Sequence, residues 1–98
     1  MEEKDKNADE VLKDAGKDFT IFVTGLSMQA LIALGEIANP MDDKKEKNMP
    51  QAKYMIDTLE MIKEKTTGNL KQSEQDHLDN ILYHLRMRYI ELLAKENK

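Results

Sequence analysis

The chain has 98 residues and a formal net charge of −4, with 35% charged and 40% hydrophobic residues. That length allows one domain with a modest core, and two Pro and four Gly against many Leu, Met, Ala, Glu and Lys favour helices over strands. The lack of Cys excludes disulfides, thiolate metal sites and thiol nucleophiles, and the lack of a basic stripe argues against binding nucleic acid through its phosphates.

Residues 1–17 alternate in charge and hold only Val11, Leu12 and two Ala as apolar side chains after Met1. They read as a disordered charged tail, because so little apolar surface cannot offset ordering entropy. They do not resemble a signal peptide, since the first apolar run begins at Phe19. A single helical domain is expected over residues 18–96.

The first helix is expected from Asp18, as N-cap, to about Ala38, where Asn39-Pro40 stops it. At about 100° per residue, Phe19, Phe22, Val23, Leu26, Ala30, Ala33, Leu34 and Ile37 share one core-facing arc. Ile21, Met28 and Ile32 make a second, smaller apolar patch, with Leu31 beside it. Gly25 and Gly35 fall inside this span, where each costs about 1 kcal/mol against Ala, so close helix–helix approach is expected there. The apolar run is as long as a membrane span. Thr20, Thr24, Ser27, Gln29 and Glu36 interrupt it and no aromatic anchors flank it, so a membrane crossing is not expected.

Residues 39–48 read as an exposed, mobile polar linker. Asp42, Asp43 and Glu46 lie among three Lys and lack the alternating ligands and turn glycine of a calcium loop. Asn48 then caps a second helix, with Pro50 in its first turn, that runs over about 49–67 to a left-handed Gly68. Its core face is Ala52, Met55, Ile56, Leu59, Ile62 and Thr66, with Tyr54 and Met61 off it. Ser73, with Asp76, is expected to cap a third helix over about 74–95. That helix carries the stripe Leu78, Ile81, Leu82, Leu85, Tyr89, Leu92 and Leu93. Opposite lie Tyr83, Met87, Ile90 and Ala94. The short link at 68–72 makes the second and third helices an antiparallel hairpin.

The expected fold is therefore all-α: one long helix plus an antiparallel helical hairpin, a three-helix bundle completed by oligomerisation. Tyr83, Met87, Ile90 and Ala94 form a contiguous patch whose exposure forfeits roughly 1.5–3 kcal/mol per large side chain. Together with Ile21, Met28 and Ile32 they are the expected oligomer or partner interface, most simply a two-fold dimer.

Catalytic chemistry finds few candidates. There is no nucleophile motif and no phosphate-cradling glycine loop. His77 and His84 share a helix face but lie about 10 Å apart, too far to chelate one metal within a chain. No catalytic residue, cofactor or metal is expected. Glu36, the one acid near the end of the first helix, is expected to pair with Arg86 or Arg88, within or between chains.

Three blocks carry a family pattern. The first is Asp18-Phe19-x-x-Phe22-Val23-x-x-Leu26-x-x-Gln29-Ala30-x-x-x-Leu34-Gly35-Glu36-Ile37 followed by Asn39-Pro40. The second is Ala52-Lys53-x-x-Ile56-Asp57-x-Leu59-x-Met61, then Glu64-Lys65-Thr66-x-Gly68-Asn69-Leu70. The third is Leu82-Tyr83-x-Leu85-Arg86-Met87-x-Tyr89. Together they resemble a family of short bacterial proteins catalogued only as a domain of unknown function. The resemblance covers about residues 18–92 and implies a bacterial source and a cytoplasmic address, but no activity, substrate or cofactor. The linker after Pro40 and both tails fall outside the pattern.

The residues thus favour a self-associating structural or adaptor module without catalytic activity, with a possible protein partner. One alternative is peripheral membrane association through the first helix, although that helix lacks the Lys and Arg of an interfacial helix. Another is a ligand-binding protein or enzyme with a site assembled at an oligomer interface from Gln29, Glu36, Arg86 or a His.

Overall fold

A computed structural model describes residues 18–96, so the charged tail expected over 1–17 lies outside the described residues. Three helices make up the described part: α1 (Phe19–Ala33), α2 (Met49–Lys65) and α3 (Gln72–Glu96). No β-strand occurs among the described residues; a single isolated bridge joins Asn39 and Lys44.

Asp18 caps α1, its carboxylate accepting from the backbone N–H groups of Thr20 at 2.8 Å and Ile21 at 3.4 Å. The helix then stops well before the expected Ala38. Leu34 is its C-cap, and Gly35 follows at φ +79°. The Gly35 N–H donates to the Ile32 carbonyl and the Glu36 N–H to the Leu31 carbonyl, each at 3.0 Å, which is the paired closure of a Schellman motif. Gly35 therefore ends the helix rather than running inside it. It also admits Lys47, whose Cγ would lie 2.8 Å from an added Cβ.

Asn48 closes two helices at once. Its backbone N–H donates to the Ala33 carbonyl at 2.7 Å, at the open end of α1, and its side-chain oxygen accepts from the Gln51 N–H at 3.1 Å, at the start of α2. Between these ends the expected mobile linker is a hydrogen-bonded turn. Asn39 donates its N–H to the Lys44 carbonyl at 2.8 Å, and Asn39 and Asp42 side chains accept from the Met41 and Lys44 N–H groups. Asp43 holds the left-handed conformation, at φ 57°, that the turn needs. Met41 stands at its tip, 90% exposed.

α2 ends at Lys65 with Thr66 as C-cap, and Gly68 at φ +83° turns the chain. α3 begins at Gln72, ahead of the expected Ser73 cap. Glu74 reaches back to accept the Lys71 N–H at 2.8 Å, whereas Asp76 takes the Gln72 side-chain amide. Contacts between α2 and α3 run in opposite senses: Lys63 meets Asp79 and Glu60 meets Arg86. Those between α1 and α3 run in the same sense, with Thr24 at His77 and Glu36 at Arg88. The bundle is therefore up-down-up.

The core is Val23, Ala30, Ala33 and Leu34 of the first segment with Ala52, Met55, Ile56, Leu59, Leu78, Leu82, Leu85 and Leu92. Two expectations shift here. Phe22, placed in the core arc by its spacing, is 54% exposed, and Ser27 is buried instead. The arc is rotated because Ser27 and Ala30 let α1 sit close, and the Ser27 hydroxyl is satisfied by the Thr24 carbonyl at 2.8 Å. Leu93, placed in the α3 stripe, lies on its exposed rim.

Candidate functional site

Tyr83, Met87 and Ile90 lie one turn apart along the outer side of α3, and all three are exposed, Tyr83 at 59% and Ile90 at 62%. Ala94 is exposed beyond them and Leu93 borders them. The Tyr83 ring meets His84 edge to face at 5.4 Å between centroids. On α1, Ile21 and Met28 are exposed and Ile32 is half-buried. The structure adds Phe22 and Gly25 to that outer face. One signal for this was available: α1 has no charged residue at all, and an amphipathic surface helix has a polar side.

Glu36 is brought to Arg88, whose Nε donates to its carboxylate, and Arg88 also reaches Glu91 at 3.4 Å. Arg86 points the other way, to Glu60 on α2. Between α2 and α3, Lys63 holds Asp79 at 2.9 Å. That hydrogen bond keeps the Asp79 carboxyl below its usual 3.8, against a small opposing effect of burial, with Gln75 assisting. The hydrogen bond and charge of Asp57 raise Lys53 above its usual 10.5.

Open depressions lie among the described residues. One, of about 810 Å³, lies where α1, the loop and the start of α2 meet the end of α3; Gln29, Asn39, Asn48 and Gln51 line it, and a Lys47–Glu96 pair at 3.4 Å belongs to its wall. A groove of about 260 Å³ between α1 and α3 is lined by Ser27, Leu31, His77, Asn80, Ile81 and His84. A third, of about 190 Å³, has Arg86 and Ile90 in its wall. Gln29, Arg86 and the His pair thus belong to three different depressions, and Glu36 lines none of these.

His77 has a defined role. The Thr24 hydroxyl lies 2.8 Å from the Thr20 carbonyl oxygen and 2.8 Å from His77 Nε2. The hydrogen bond between Thr24 and His77 ties α3 to α1. Among the described residues, no three His, Cys, Asp or Glu gather to hold a metal, and no helix is long and apolar enough to cross a membrane.

No curated protein and no solved structure matches the chain. One family model does, that of the Domain of unknown function (DUF1844), over residues 16–91. The match takes in all of α1 and α2 and most of α3, with Gly35, Glu36, Asn48 and the Tyr83–Met87 turn inside it. The chain belongs to the DUF1844 family, a domain of unknown function.

Proposed function

We propose that this chain is a self-associating helical module, structural or adaptor in role and not an enzyme, which meets a second copy or a protein partner through its outer apolar faces. The observation that carries this is the contiguous exposure of Tyr83, Met87 and Ile90 on one side of α3. Three large apolar side chains at spacings of three and four gain from burial what scattered surface residues cannot, because together they exclude water from one patch. Ala94 extends that patch, and Ile21, Met28 and Ile32 supply a second. The spread of Gln29, Arg86 and the His pair over separate depressions weighs against a catalytic centre in the single chain. A bacterial source and a cytoplasmic setting belong to the same proposal and rest on the sequence resemblance alone.

Light scattering on the native chain and on Met87→Glu tests this reading. A native mass of two or more chains, falling to one in the variant, is the expected result. A native chain that is monomeric at every accessible concentration, and captures no partner, removes it.

A further inference from the structure

α1 is uncharged along its whole length, from Phe19 to Ala33. Its polar side chains are Thr20, Thr24, Ser27 and Gln29, of which Thr24 and Gln29 are exposed. The inner side is buried against α2 and α3, while Ile21, Phe22 and Met28 face outward. In their midst sits Gly25. A Cβ added there would meet nothing within 4 Å among the described residues, so no described neighbour calls for a glycine. A mid-helix glycine weakens the helix relative to alanine, and that cost is not recovered among the described residues. The side chains one turn away on either side of Gly25 are Ile21, Phe22, Met28 and Gln29, so the missing side chain leaves a dimple ringed by three large apolar groups and one amide.

We propose that this dimple is where α1 of one copy crosses α1 of a second, antiparallel about a two-fold axis, with Phe22 of each copy against Met28 of the other. The inference rests on the self-association proposed above and names its contact. Charge selects the occupant. A charged partner surface would be desolvated against α1 with nothing to pair it, whereas a second α1 is as neutral as the first. Charge also selects the direction. Parallel pairing would align the two helix dipoles and set Asp18 beside its own copy, and antiparallel pairing avoids both. The strip is roughly 22 Å long and 10 Å across, enough to bury on the order of 400 Å² per copy with its flanks, about half the share of a standard interface. A two-fold contact uses each side chain twice, so this size fits a reversible homodimer.

The test is sedimentation of the full chain from micromolar to near-millimolar concentration, for the native protein, Gly25→Leu and Met87→Glu. Dimerisation of the native chain, weakened tenfold or more in Gly25→Leu with its helical circular dichroism intact, is expected. Because the chain has no Cys, Phe22→Cys mixed with Met28→Cys gives a second reading: the mixed disulfide should form in preference to either symmetric one. A dimer unchanged by Gly25→Leu, or symmetric disulfides in preference, overturns the crossing. If Met87→Glu then dissociates that dimer, self-association stands without it. A native chain monomeric throughout overturns both. Binding of the monomer to phosphatidylcholine vesicles, kept or strengthened in Gly25→Leu, assigns the face to lipid and overturns the crossing.

Discussion

Arg88 on α3 donates to the carboxylate of Glu36, two residues past the C-cap of α1, so the point where the first helix ends is tied to the far half of the third. Both side chains are about one-third exposed, at 35% and 32%, which leaves much of their attraction screened by water. A double-mutant cycle of Glu36→Gln and Arg88→Gln, read by urea unfolding, should give a coupling of about 0.5–1 kcal/mol. Arg86→Gln should show no coupling to Glu36, because Arg86 is committed to Glu60.

The two glycines of the first block should respond to alanine in opposite ways. Gly35→Ala places a Cβ at positive φ and against the Lys47 stem, and should destabilise by about 1–2 kcal/mol or more. Gly25→Ala, at concentrations where the chain is monomeric, meets open space on a helix and should stabilise by up to about 1 kcal/mol. Thermal melts of the two variants at low concentration decide this by the sign of the Tm shift alone.

Asn48→Ala removes the side-chain cap of α2 but keeps the backbone N–H that reaches Ala33. The expected loss is about 1 kcal/mol, and Asn48→Asp should recover most of it. The denaturation midpoint should fall with an unchanged m value, since the native surface is the same.

Asp79 sets a pH dependence. Its folded pKa is depressed, by the Lys63 hydrogen bond first, so its contribution is complete above the unfolded value near 3.8. It is lost as pH falls from there through the lower folded value. The effect should be small, because both partners are more than two-fifths exposed. Melts of native chain and Asp79→Asn should differ at neutral pH and converge as the pH falls below the unfolded value of 3.8 and through the lower folded one.

The helices were readable in the sequence because their signals are local. Asp18, Asn48, Pro50 and Gly68 act within a turn of their own position, and the structure uses each as its residue type suggests. The misread points needed distant information. Gly35 inside an apolar run looks like a helix residue until Asn48 and Lys47 return to close that end. Phe22 fits the core arc by spacing, yet burial of the smaller Ser27 turned the helix away from it. The turn at 39–44 looked unstructured because its order comes from Asn and Asp side chains bonding their own backbone, which composition does not distinguish from solvation. The exposure of Tyr83, Met87 and Ile90 followed from period alone, since α3 is long enough to show two separate stripes.

Asn48 meeting Ala33 gives the segment between α1 and α2 a closed base. Farther out the Asn39–Lys44 bridge closes a smaller turn, and Met41 at its tip is almost wholly in water. Chain length there is thermodynamically cheap, as extra residues in a loop already pinned at its neck add only slowly to its closure entropy. This is the place where a tag or a foreign peptide can be spliced into the protein while the bundle beneath it keeps its shape.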